Sequence, residues 1–111
     1  MSNSYLLTED TKMDVYISFL SDNEQMWDEI CSRISDALYA RIKEENLTIY
    51  DVAEKSGVSY ATLQFVLVSR KRNIGLLSLV KLCAFLQVNV NLLKIIADVH
   101  EAYESGELND L

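Results

Sequence analysis

The chain has 111 residues, half of them hydrophobic, with no proline, two cysteines and a formal net charge of −7. That length suits one domain with a usable core, and no run approaches the roughly 18 apolar residues of a membrane span. Cys31 and Cys83 lie far apart without a neighbour at paired spacing, which excludes a zinc or disulfide framework and fits reduced thiols in a cytoplasmic protein without a signal peptide.

Residues 1–20 form an N-terminal arm of uncertain structure. Met13, Val15, Ile17 and Phe19 alternate with Asp14, Tyr16 and Ser18, a pattern open to a short strand, an extended arm or a short helix. The main domain is expected over 21–104, followed by an acidic tail over 105–111. Ser21 and Glu24 make a capping box that predicts a helix start. The stripe Trp27, Ile30, Cys31, Ile34, Leu38, Ile42 then carries helical spacing to about Asn46. Trp27 and both cysteines are expected in the core.

A short second helix is predicted from Thr48, whose hydroxyl can cap free N–H groups, with Asp51 in its first turn and its end before Gly57. Ser59 caps a third helix running to about Val68. The basic loop Ser69-Arg70-Lys71-Arg72-Asn73 follows. A fourth helix is expected from about Gly75 to Leu86, with Leu76, Leu79, Val80, Cys83 and Leu86 inward. The fifth starts near Asn91 and carries Leu92, Ile96, Val99 and Tyr103. The fold class is therefore all-α, a five-helix bundle preceded by the arm.

Charge is unevenly spread. Residues 1–30 hold one lysine and seven acids, residues 31–95 nine Lys/Arg and five acids, and residues 96–111 five acids and no base. A basic middle between acidic ends fits a nucleic-acid-binding core with appended tails.

Between Ile49 and Val68 the residue types follow the logic of two short helices meeting steeply. Val52 faces inward, Ala53 is small at the crossing, Gly57 suits a tight turn with positive φ, Val58 plugs the turn, and Leu63 and Val66 bury the next helix. The stretches Leu47-Thr48, Val52-Ala53-Glu54-Lys55-Ser56-Gly57-Val58-Ser59, Thr62-Leu63, Leu79-Val80-Lys81-Leu82-Cys83 and Leu86-Gln87-Val88 resemble the Cro/repressor-type, xenobiotic-response-element-like helix-turn-helix proteins of bacteria and phages. The resemblance covers about residues 27–95. It implies a phage-repressor type bundle whose third helix enters the major groove of double-stranded DNA, commonly as a homodimer.

Carried over residue by residue, the resemblance makes Tyr60, Ala61, Gln64 and Phe65 base contacts, with Gln64 suited to adenine and Ala61 to a thymine methyl. It makes Thr48, Ser59, Arg70, Lys71 and Arg72 phosphate contacts, by backbone N–H groups or by charge. The apolar excess of Leu92, Leu93, Ile95, Ile96 and Val99 marks the fifth helix as a dimer contact, with the arm at 5–20 as an alternative.

Five positions depart from the family pattern. Ile49 stands where a polar phosphate-contacting residue is usual, Ile74 where proline is usual, and Gln87 where glycine is common; Phe65 and Val68 make the outer face of the third helix apolar. An outward row of Tyr60, Phe65 and Val68 also suits a protein partner, so an antirepressor or adaptor that does not read DNA is the alternative to a repressor-like regulator from a phage or mobile element. An enzyme is not expected. The only glycines are Gly57, Gly75 and Gly106, which form no phosphate loop, and His100 is the only histidine, read as a surface helix residue without companions for a metal or a catalytic set. No cofactor is expected.

Overall fold

In a computed structural model, the residues described are 14–70 and 73–108. They form six helices and no strand: α1 over 14–22, α2 Gln25–Glu44, α3 Ile49–Ser56, α4 Tyr60–Leu63, α5 Leu76–Leu86 and α6 Leu92–Glu104. A wider π turn, Gln64–Val68, continues α4. None of the helices among the described residues is long and apolar enough to cross a membrane. The chain divides into two compact units, residues 1–30 with 92–111, and residues 31–91.

In the first unit the arm resolves into a helix from residue 14. Phe19 is buried and Tyr16 half-buried. Three-residue spacing between these two rings serves a helix, whereas Val15 and Ile17 of the apparent alternation are exposed. This helix corrects the expected start at Ser21, which lies inside α1. The amide of Asn23 donates to the Phe19 carbonyl at 2.9 Å. The carbonyls of Asn23 and Glu24 then accept from Met26 and Trp27 N–H at 2.8 and 3.0 Å, opening α2. A second correction concerns Trp27, which is 52% exposed. The buried phase at this end of α2 sits one residue earlier, on Met26 and Ile30. His100 is a third. It is half-buried rather than a surface residue, its ring edge-on to Tyr16 and Phe19 with centroids 5.8 and 4.9 Å away. Its Nε2 lies 3.4 Å from Glu104 Oε1. Val99 and Ala102 are the buried residues of α6, and Lys94 Nζ donates to Asp98 at 2.9 Å.

In the second unit Cys31, Ile34, Leu38 and Ile42 of α2 are buried, as the stripe required, with Ser35 between them. The helix ends where Asn46 turns left-handed (φ 57°), letting Leu47 N–H reach back to the Ile42 carbonyl at 3.0 Å. Val52, Val58, Leu63, Val66, Leu67, Leu82 and Leu86 complete this unit's buried apolar residues. Each such aliphatic side chain contributes about 1.5–3 kcal/mol on leaving water. Helix α3 packs against both α4 and α5. In α5 the expected stripe is displaced. Leu82 and Leu86 are buried, Leu79 and Cys83 half-buried, and Leu76 and Val80 are 77% and 55% exposed. Positions 79, 82, 83 and 86 share one helical face, and 76 and 80 fall beside it. Cys83 is thus only partly covered, and that burial pushes its thiol above the usual range.

At the end of α5, Gln87 adopts φ 55°. Val88 N–H closes the turn on the Cys83 carbonyl at 3.1 Å, and Arg41 Nε donates to the Leu86 carbonyl at 3.2 Å. The same guanidinium meets Glu44 and Glu45 at 3.0 and 3.2 Å. A buried backbone carbonyl at a helix C-terminus and a cation suit one another.

Candidate nucleic-acid interface

The candidate surface is built on α3, the turn at Gly57 and α4. Thr48 Oγ1 accepts from Asp51 N–H at 3.1 Å, and Asp51 Oδ2 accepts from Thr48 N–H at 3.1 Å, a reciprocal capping box. The hydrogen bonds from the Thr48 backbone and hydroxyl hold the exposed Asp51 carboxyl below the usual carboxylate range. After eight residues α3 stops at Gly57, whose φ of 79° is left-handed. Ser56 Oγ accepts from Val58 N–H at 3.2 Å, and Val58 plugs the turn, 4% exposed.

Ser59 then opens α4. Its Oγ accepts from Thr62 N–H at 3.1 Å and donates to Thr62 Oγ1 at 2.8 Å. Leu63, Val66 and Leu67 face inward, Leu63 fully buried. The π turn closes where Ser69 N–H and Ser69 Oγ both donate to the Gln64 carbonyl, each at 2.9 Å. Single wide turns of this kind occur often at functional sites.

The outward face of α4 carries Tyr60, Ala61, Gln64, Phe65 and Val68. Tyr60, Phe65 and Val68 are 48%, 42% and 44% exposed, Ala61 is exposed and Gln64 half-buried. Gln64 Nε2 donates to Tyr60 Oη at 2.6 Å, joining two of these residues. The four residues expected to meet bases therefore lie together on α4 and the π turn that continues it. Sequence reasoning did not anticipate the Tyr60–Gln64 bond, although the four-residue spacing places them as neighbours on a helix.

The residues expected at phosphates are arranged differently. Thr48 and Ser59 spend their side chains as caps, and Thr48 N–H is bound to Asp51. What they offer an anion is the remaining first-turn backbone N–H groups, which a helix leaves without intrahelical acceptors. Arg70 sits just past the π turn with φ 56°. Its guanidinium donates to the Ser32 carbonyl at 3.1 Å, to Ser32 Oγ at 2.8 Å and to Asp36 Oδ1, and Nε reaches the Leu67 carbonyl at 3.3 Å. It thus fastens the end of the α4 segment to α2. Lys71 and Arg72 lie outside the described residues. A further cation, Lys81, donates to the Gly57 carbonyl at 3.4 Å, which brings positive charge beside the turn. Nothing in the local pattern around Lys81 signalled this, because it depends on how α5 packs on α3.

Among the described residues no group of three or more His, Cys, Asp or Glu side chains is placed to hold a metal ion. A family model described as helix-turn-helix matches residues 38–93, half of the chain. No curated protein and no solved structure matches it.

Proposed function

The chain belongs to the helix-turn-helix family, and on that premise we propose that it is a sequence-specific, DNA-binding transcription regulator of the Cro/repressor, xenobiotic-response-element-like kind. One observation carries the reading. The capping box of α3, the left-handed Gly57 and the Ser59 cap fix two short helices against each other, with Tyr60, Ala61 and Gln64 facing outward on the second. In this reading α4 enters the major groove and those three residues, with Phe65, meet base edges. Backbone N–H groups at the starts of α3 and α4, near Thr48 and Ser59, meet phosphates. Lys71 and Arg72 supply the charge-based contacts. Arg70, engaged with Ser32 and Asp36, fastens the end of the α4 segment to α2. The protein acts in the cytoplasm as a homodimer on a two-fold site, as a repressor from a phage or mobile element. The exposed Leu92 and Leu93 of α6 favour that helix as the dimer contact.

The test is fluorescence anisotropy on duplex DNA at low and moderate salt, beside a variant with Lys71 and Arg72 changed to Ala. Salt-sensitive binding is expected. The double change should lower the slope of log affinity against log salt by about two, on every duplex.

A second reading is favoured by the apolar exposure of Tyr60, Phe65 and Val68 together with the net charge of −7. It makes this face a dock for a protein, in an antirepressor or adaptor. Absence of duplex binding even at low salt selects it.

A further inference from the structure

The bond between Tyr60 and Gln64 bears on which base α4 reads. A glutamine amide carries two N–H donors and one carbonyl acceptor. One donor of Gln64 is committed to Tyr60 Oη at 2.6 Å, one helical turn away. One N–H and the carbonyl oxygen remain for a base. A paired donor and acceptor matches the major-groove edge of adenine, where N7 accepts and the N6 amino group donates. Guanine presents two acceptors, N7 and O6, and would demand two donors.

We propose that Tyr60 is a positioning residue that fixes the Gln64 amide in the orientation that selects an A·T pair. The proposal rests on the reading of α4 as the major-groove element. A lone glutamine on a helix surface turns its amide either way and reads bases loosely. Here the amide donates to the phenol hydroxyl before DNA arrives, and that bond reduces the ordering that this long side chain must undergo on binding. Tyr60 then acts on specificity through Gln64, without itself touching that base.

The experiment selects binding sites for the full chain from a random duplex library. It then measures affinities on the selected site with each pair in turn replaced by the other three. Wild type, Gln64→Ala and Tyr60→Phe are compared, with thermal melting and the salt slope recorded for each. Gln64→Ala identifies the pair that Gln64 reads. At that pair wild type should prefer A·T over G·C on the order of tenfold. Tyr60→Phe keeps the ring and removes the hydroxyl. It should cut that preference severalfold at the same pair, with the other positions, the melting temperature and the salt slope unchanged. A G·C preference at the Gln64-dependent pair, a flat profile there in wild type, or an unchanged profile in Tyr60→Phe overturns the proposal while DNA binding stands. If the full chain retains no duplex even at low salt, the reading of α4 as a DNA element fails and the proposal falls with it.

Discussion

Arg70 offers a sharp separation between a residue that holds the fold and one that holds DNA. Its guanidinium makes four hydrogen bonds, to the carbonyls of Ser32 and Leu67, to Ser32 Oγ and to Asp36. Its side chain is 33% exposed and that of Asp36 64%. An ion pair that open to solvent contributes about 0.5–1 kcal/mol. The part-buried bond to Leu67 and the exposed bonds to Ser32 add about 1 kcal/mol together, because water replaces them in part when they are lost. Arg70→Ala should therefore lower unfolding free energy by about 1.5–2 kcal/mol, and Asp36→Ala by about 0.5–1 kcal/mol. The left-handed backbone at Arg70, φ 56°, costs a non-glycine residue about 1–2 kcal/mol, of which the looser unfolded glycine chain takes back about 0.4–1 kcal/mol, so Arg70→Gly should be milder than Arg70→Ala by about 0.5–1 kcal/mol. Urea titration followed by circular dichroism measures all three. The order of severity, Arg70→Ala first, then Arg70→Gly, is diagnostic, since glycine normally destabilises more than alanine. DNA binding supplies the other half. Arg70→Ala should leave the salt slope near the wild-type value. A stability unchanged within about 0.3 kcal/mol, with a slope reduced by about one, would refute the anchoring role and make Arg70 a phosphate contact.

Three further substitutions probe the framework under the site. Gly57→Ala meets no close atom, the nearest being Lys81 Nζ at 3.8 Å; its cost is left-handed strain of about 1–2 kcal/mol offset by 0.4–1 kcal/mol from the stiffer unfolded chain, a net loss of about 1 kcal/mol in urea titration. Leu63→Ala removes a fully buried side chain beneath the outward face of α4 and should cost about 3 kcal/mol, with base-specific binding lost before salt-driven binding; a loss under about 1 kcal/mol would contradict its burial. Asp51→Asn tests the capping box through pH. The carboxyl of Asp51 is held below its ordinary range by Thr48, so its contribution is present at neutral pH and is lost as pH falls through the acidic carboxylate range. Wild type should melt above Asp51→Asn at pH 7, and the gap should close as pH falls below the ordinary aspartate range; a gap that does not narrow on acidification would mean that charge on Asp51 is not the cause.

The helices were legible where hydrophobic spacing and caps agreed. Thr48 with Asp51, Gly57 and Ser59 mark three boundaries through side chain and backbone chemistry that acts within four residues, and these signals can be read locally. Tyr60, Ala61, Gln64 and Phe65 fell together on α4 and the π turn that continues it for the same reason. Elsewhere the pattern was ambiguous or depended on distant partners. The run 13–19 is short enough that alternation and helical spacing share residues, and the half-buried and buried rings of Tyr16 and Phe19 decide for a helix. Ser21 and Glu24 satisfy the capping-box spacing, yet Ser21 lies within α1. Leu76 and Val80 are apolar and periodic, but the packed face of α5 lies on Leu82 and Leu86. The ties of Arg70 to Ser32 and Asp36 span 38 and 34 residues, beyond any local signal. A basic run reads as a phosphate site until the fold commits one of its members elsewhere.

The wide turn at Gln64–Val68 changes how length variation in this segment is to be understood. A bond from Ser69 N–H to the Gln64 carbonyl closes a ring one residue larger than that of an ordinary helix. The segment between the Ser59 cap and the Arg70 anchor thus accommodates one amino acid more than a regular helix of the same reach would hold. Deletion of one residue there can be absorbed by tightening the turn, leaving both fixed ends where they are. Loss of one residue in this stretch therefore changes which side chains face outward while the Ser59 cap and the Arg70 anchor keep their places.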